Sequence, residues 1–384
     1  MTARRVVAFG GGHGLSASLR ALRHCAPELD LDITAVVTVG DDGGSSGRLR
    51  AERGGLPPGD LRQALVALAG DHPATRRSAG LFQHRFAAVP AGVPPLGEAD
   101  PALTATDGRT PDPRDQAATG EAAAGQGADG QAATGEGAAS QGADGPGTER
   151  ASSRADGLAG HAVGNLVLCG LMELLGDPVA ALEHAGAMLG AVGRVLPMSR
   201  QPVGIEAQVR GVDPAAPDEV RTVRGQHQVA VTTGRVESLR LTPAAPPACA
   251  EVVEAIRAAD WLIFGPGSWY TSVLPHLLVP QLADAIVSTS ARRLVTLNLA
   301  AEKETLGLSV ADHLAALHWY LPELKVDLVL ADAKAVGDPE PVERAAESLG
   351  ARLVLAPVAV TGGTPRHDPA ALGAALVPVL GADR

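Results

Sequence analysis

The residues best suited to chemistry fall in five clusters, and glycine recurs in nearly all of them. Gly10-Gly11-Gly12-His13-Gly14-Leu15-Ser16 follows the apolar run Val6 to Phe9 and opens an amphipathic stretch. At such a strand-to-helix turn, glycines let the backbone approach a phosphate while the first helical N–H groups bind it. Gly12, Gly14 and Ala17 fit a GxGxxA spacing, a weak signal alone; no Gly-Lys-Ser/Thr follows, which excludes a P-loop. The alternative is a tight turn that holds no ligand.

Thr38 to Arg50 (TVGDDGGSSGRLR) adds Asp41, Asp42, Gly44, Ser45, Ser46 and Arg48 at the end of a second apolar run. Paired carboxylates, hydroxyls and arginines suit a ribose or sugar hydroxyl, Mg²⁺ or a diphosphate; a solvated surface turn is the competing reading. In Leu56 to Gln63 (LPPGDLRQ), Asp60 and Arg62 sit in the first turn of a helix, where an acidic residue is ordinarily a cap. Gly160 to Leu166 offers His161 and Asn165 at another helix start, a proton-transfer or ligand pair if they converge and ordinary packing if they do not. Phe264 to Pro275 supplies Gly265, Gly267, Ser268, Thr271 and Ser272 in a second anion cradle. Its spacing is not G-x-S-x-G, so Ser268 reads as a phosphate-holding hydroxyl rather than a nucleophile. Cys and His lack zinc-ligand spacing, and the catalytic residues are unknown.

These clusters need a scaffold. Short β-branched runs (4–9, 33–39, 261–264, 294–297, 326–330, 352–355) alternate with helix-like segments (15–24, 59–69, 164–175, 178–189, 248–259, 272–288, 311–317, 339–349). The pattern predicts an α/β fold with a mostly parallel sheet flanked by helices. Between about residues 200 and 245, strands at 203–210, 226–232 and 235–241 without intervening helix predict a small antiparallel β-subdomain. Residues 88–157 lack aromatic residues and isoleucine and contain a tandem repeat, Gln116 to Gly130 returning as Gln131 to Gly145 with two changes. Such a stretch reads as a low-complexity, disordered insert in one domain made of residues 1–87 and 158–384.

The insert holds eleven acidic residues and four arginines, so it accounts for most of the formal charge of −11. An acidic chain with 2% aromatic residues is not a nucleic-acid binder. Three cysteines without CxxC spacing suit a reducing compartment. No apolar run approaches the roughly 20 residues of a membrane span, and Val6 to Phe9 is too short for a secretory signal.

In this order GGGHGLS, TVGDDGGSSGRLR, PPGDLRQALVALAG, LFQHRF, GHAVGNL and GPGSWYTSVLPHLLVPQLADAI resemble the YvcK-type gluconeogenesis-factor family of the CofD-like superfamily, across most of the chain outside 88–157. The resemblance implies a Rossmann-like fold, a cytoplasmic location, binding of UDP-glucose or UDP-N-acetylglucosamine, and support of cell shape and cell-wall growth on gluconeogenic carbon. It raises Asp60, Arg62 and Asn298 to site candidates. It establishes no cofactor and no catalysis, although the CofD branch transfers a phospholactyl group with Mg²⁺, for which Asp41 and Asp42 are the candidate ligands here. Homo-oligomerisation and a protein partner stay open. Departures from the family pattern are His13 for Thr, Gly40 for Ala, Gln63 for Asn, Trp269 for Leu, and an altered surrounding of Asn298 and Thr305.

Overall fold

A computed structural model describes residues 3–88, 157–362 and 364–382. The disordered-insert reading of 88–157 therefore falls, but for its end residues, outside the described part, and residues 1–87 with 158–384 form one compact unit. Its centre is a parallel sheet of β1 (Arg4–Gly10), β2 (Leu31–Val37), β3 (Arg194–Pro197), β7 (Trp261–Phe264), β8 (Arg292–Thr296), β9 (Leu328–Ala331) and β10 (Arg352–Leu355). The spatial order is β10-β9-β8-β7-β1-β2-β3. Helices on both faces explain why the central strands read as continuous apolar runs: all four residues of β7 and of β9 are buried.

The helices are α1 (Gly12–Leu29), α2 (Gly44–Arg53), α3 (Pro58–Leu68), α4 (Pro73–Gln83), α5 (Val163–Leu175) and α6 (Pro178–Met188). They continue with α7 (Gln226–Val231), α8 (Ala250–Ala258), α9 (Pro280–Ser288), α10 (Val310–Tyr320), α11 (Ala333–Val336), α12 (Glu340–Ser348) and α13 (Pro369–Gly381). A separate antiparallel sheet has the order β5-β4-β6, with β4 at Gly204–Arg210, β5 at Val220–Arg224 and β6 at Arg235–Thr242.

Two expectations are corrected. The strand expected at 226–232 is α7, because Gly225 turns the chain at φ 95° and the Asp42 carboxylate accepts the His227 N–H at 2.8 Å, which starts a helix instead. The single helix expected over 272–288 is three pieces: a π turn at Trp269–Val273, a 3₁₀ turn at Leu274–Leu278, and α9. Pro275 and Pro280 each lack the N–H that a continuous helix requires. Helices α2, α4 and α13 and strand β3 are additions that the sequence pattern did not show.

The chain leaves and re-enters the unit across a pinned gap. His84 to Phe86 pair with His161 to Val163: the Phe86 N–H donates to the His161 carbonyl (3.0 Å) and the Val163 N–H to the His84 carbonyl (2.9 Å), around an antiparallel bridge of Arg85 with Ala162. Excising residues 89–156 and joining the ends with a short Gly/Ser linker is expected to leave the melting temperature within about 2 °C of the parent, as scanning calorimetry would show. A large fall would make the segment structural.

Candidate functional site

The sheet order changes direction between β1 and β7. From β1 the chain moves to β2 on one side, and it later returns to β7 on the other; the two strands run parallel in register from Val6 opposite Trp261 to Phe9 opposite Phe264. Their carboxyl ends therefore flank the crevice where open α/β sheets bind ligands. The bend after β1 and the bend after β7 touch. A β-carbon on Gly14 would lie 2.3 Å from the Pro266 carbonyl oxygen and 2.5 Å from the Gly267 Cα, so only glycine permits the contact. Gly12 takes φ 54°, and Gly11, the N-cap of α1, offers no side-chain cap. The start of α1 thus gets no cap from its own N-cap residue and opens at the rim of a cleft of about 900 Å³.

Of the sequence candidates, Gly11, Gly12, His13, Gly14, Ser16, Asp60, Arg62, Gly267, Ser268, Thr271, Ser272 and Asn298 line this cleft. Asp60 sits beneath the first bend: a β-carbon on Gly11 would approach both its Oδ2 and the Thr38 hydroxyl to 2.6 Å. It is not the cap expected of an acidic residue in a first helical turn, because its carboxyl accepts from the Gly12 N–H and, at 3.4 Å, from the Thr38 hydroxyl. Burial, helped by the neighbouring Asp41, pushes it up to about 7. Arg62 is 2% exposed, and its partners are neutral amides: Nε donates to Asn165 Oδ1 at 2.8 Å and Nη1 to the Gln83 side chain. Burial, with Arg85 nearby, lowers its pKa to about 10, which keeps it a cation at neutral pH.

His161 and Asn165 stay out of the cleft but act on it through Arg62. Asn165 Nδ2 donates to the Ser45 hydroxyl at 2.9 Å, and that hydroxyl lies 3.0 Å from His161 Nδ1. This chain ties the start of α2, the start of α5 and α3 to one guanidinium. Ser45 thereby supports Arg62 from outside this cleft.

The rest of the second cluster also faces elsewhere. The run TVGDDGGSSGRLR is less a loop than the start of α2. Asp41 Oδ1 accepts the Gly43 N–H at 3.0 Å, while the Asp42 carboxylate is turned onto α7. The two carboxylates are thus turned to different partners, and among the described residues no three His, Cys, Asp or Glu side chains form a candidate metal set. Asp42, Gly44, Ser45 and Arg48 line a separate shallow hollow that Arg85 also borders, and Arg48 donates to the Ala159 carbonyl at 2.7 Å. Ser46 is buried against Gly59, Leu15 packs into the core, and the Gly265 carbonyl accepts from Ser18 at 2.9 Å.

On the β7 side, Asn298 pairs with both backbone groups of Gly267, accepting its N–H at 2.8 Å and donating to its carbonyl at 2.9 Å, so it shapes the bend. The Ser268 hydroxyl donates to Glu302, and Glu304 accepts the Tyr270 N–H at 2.8 Å. Sequence reasoning missed Arg20, Gln83, Arg85, Glu302 and Arg366, all in the cleft lining. For Arg20 a signal existed, since His13, Ser16, Ala17 and Arg20 share one helical stripe.

Among the described residues no helix is long and apolar enough to cross a membrane, and Cys25, Cys169 and Cys249 are all free thiols.

The profile of the family described as 2-phospho-L-lactate transferase CofD matches residues 6–354. A Mycobacterium tuberculosis protein named "Putative gluconeogenesis factor" is 43% identical, the match covering 98% of this chain and 91% of that protein. The gluconeogenesis factor of Bacillus subtilis is 30% identical, over 91% of this chain and 84% of its own. A crystal structure of a Bacillus halodurans protein of the UPF0052 family superposes with a TM-score of 0.71 at 28% identity, covering 98% of this chain and 99% of that one. On these matches the chain belongs to the CofD-like family, in its gluconeogenesis-factor (YvcK) branch.

Proposed function

We propose that the chain is a cytoplasmic UDP-sugar-binding regulator, taking UDP-glucose or UDP-N-acetylglucosamine in the cleft between β1 and β7 and supporting cell shape and cell-wall growth on gluconeogenic carbon. The observation that carries this reading is the meeting of the bends at Gly14 and Gly267 beside a buried arginine whose partners are neutral. The diphosphate is held by the His13 and Gly14 N–H groups at the start of α1, the Ser268 N–H and Arg62, where a fixed cation and fixed dipoles replace the water that an anion loses. Ser16, Thr271 and Ser272 supply hydroxyls along the same wall.

Isothermal titration of the purified chain with UDP-N-acetylglucosamine and UDP-glucose tests this. Ligand at about 100 times Kd should also stabilise the fold by roughly 2.7 kcal/mol. No heat and no thermal shift with either nucleotide would remove the proposal. The transferase reading is supported by the family profile and by a carboxyl in the cleft that titrates near neutrality. Product from a phospholactyl-nucleotide donor and a deazaflavin acceptor would establish it in place of the regulator.

A further inference from the structure

The charge in the cleft exceeds what a neutral-sugar nucleotide requires. Four arginines line it, Arg20, Arg62, Arg85 and Arg366, against the two acidic residues Asp60 and Glu302. Glu302 is engaged by the Ser268 hydroxyl. A sugar-linked diphosphate brings two negative charges, and the start of α1 with Arg62 already answers them.

Arg20 is also displaced along α1 from the diphosphate seat. His13, Ser16, Ala17 and Arg20 follow one another at helical spacing along the cleft face of α1, so Arg20 stands about 10 Å along the helix from His13. Arg366 enters the cleft lining from the C-terminal segment. There Val360 and Arg366 pair through the backbone at 2.9 Å, next to an antiparallel bridge between Ala359 and His367. The segment is anchored by Asp332, whose carboxylate accepts the Val358 and Ala359 N–H groups at 2.9 and 3.2 Å. Neither Arg20 nor Arg366 makes a side-chain hydrogen bond or ion pair among the described residues. The two converge on His13 electrostatically: together with burial, Arg366 and Arg20 hold its imidazole below the ordinary histidine range, hence neutral at pH 7.

Resting on the nucleotide-sugar reading above, we infer that the ligand carries a third anionic group on its sugar side, received by Arg20 and Arg366, and that a sugar carboxylate is the chemistry that fits. A guanidinium pair presented to a planar carboxylate gives paired, charge-assisted hydrogen bonds that a neutral hydroxymethyl group does not.

The test compares three ligands by isothermal titration at one ionic strength. UDP-glucose and UDP-glucuronate differ by a carboxylate in place of a hydroxymethyl group, and UTP carries its third anion as phosphate. UDP-glucuronate is expected to bind about tenfold tighter than UDP-glucose. In the double variant Arg20→Gln/Arg366→Gln that ratio should fall to near one; both side chains are exposed, so the variant should melt with the parent. A preference for UTP that the same variant erases would uphold the third-anion seat, with phosphate as its occupant. Equal affinity for all three, or a preference that the variant leaves untouched, overturns the inference while the nucleotide-sugar reading survives. No binding by any of them overturns both.

Discussion

Gly14→Ala is expected to weaken UDP-sugar binding by more than about 100-fold and to cost about 2–4 kcal/mol of stability. Gly14 is helical and does not occupy the positive-φ region, so backbone freedom is not the reason. The reason is room: the added methyl would meet the Pro266 carbonyl oxygen at 2.3 Å, the Gly267 Cα at 2.5 Å and the Pro266 carbonyl carbon at 2.7 Å. All three are main-chain atoms of a bend that Asn298 holds from behind. Neither bend can yield without moving the N–H groups that face the cleft. Gly170→Ala is the contrasting control. It lies in α5 with nothing within 4 Å of its new methyl, and it should stabilise the protein by roughly 0.5–1 kcal/mol. Thermal melts and titration of the two variants side by side separate the effects. A Gly14→Ala protein that binds as tightly as the parent would show that the bends do not share one anion.

A second large effect is expected from Asp60→Asn, and its sign depends on pH. Asp60 titrates at about 7 in the folded chain and near 3.9 when unfolded. The folded state therefore holds a proton that the unfolded state has released. Its contribution to stability is fully present below about pH 4, declines as pH rises through 7, and is constant above that. The decline is on the order of 3–4 kcal/mol as an upper bound. Asparagine keeps the shape and an acceptor for Thr38 but carries no charge. The variant should match the parent at pH 4 and melt higher at pH 8.

Ligand binding should follow the same titration. A sugar-linked diphosphate does not ionise in this range, so an affinity that falls about tenfold between pH 6 and 8 would come from the ionised carboxylate repelling it. The dependence should vanish in Asp60→Asn. If the variant instead loses affinity at every pH, Asp60 contacts the ligand or a bound cation directly and the repulsion account is wrong.

The glycine clusters and the parallel strands were legible because they rest on local rules: an apolar run, a glycine turn, a helix. Gly12 and Gly267 could be named as bends from sequence alone, yet nothing local says that β7, some 250 residues later, lies beside β1. The candidates that lie outside this cleft share one cause. Asp42, Ser45 and Arg48 have ligand-like side chains, and a glycine-rich run hides the fact that α2 begins at Gly44, with those groups turned toward α7 and toward the segment 159–165 that leads into α5. The partners that decide their roles, His227, His161 and Asn165, come from distant segments. Arg366 was invisible for a similar reason, since its place depends on a short hairpin held by Asp332. Strand β5 escaped notice because nearly all its residues are exposed and it has no apolar face to reveal it.

The stitched crossing at Arg85 and Ala162 also bears on how this gene can change length. Closing a flexible loop costs free energy that grows only with the logarithm of its length, about 0.6 kcal/mol for each doubling. Any flexible segment of several tens of residues joining the ends that His84 to Phe86 and His161 to Val163 clamp would, on this scale, cost only a few tenths of that more for about fifteen added residues. A change of length at this point is thus expected to cost folding little and to leave Arg62 and its supports in place.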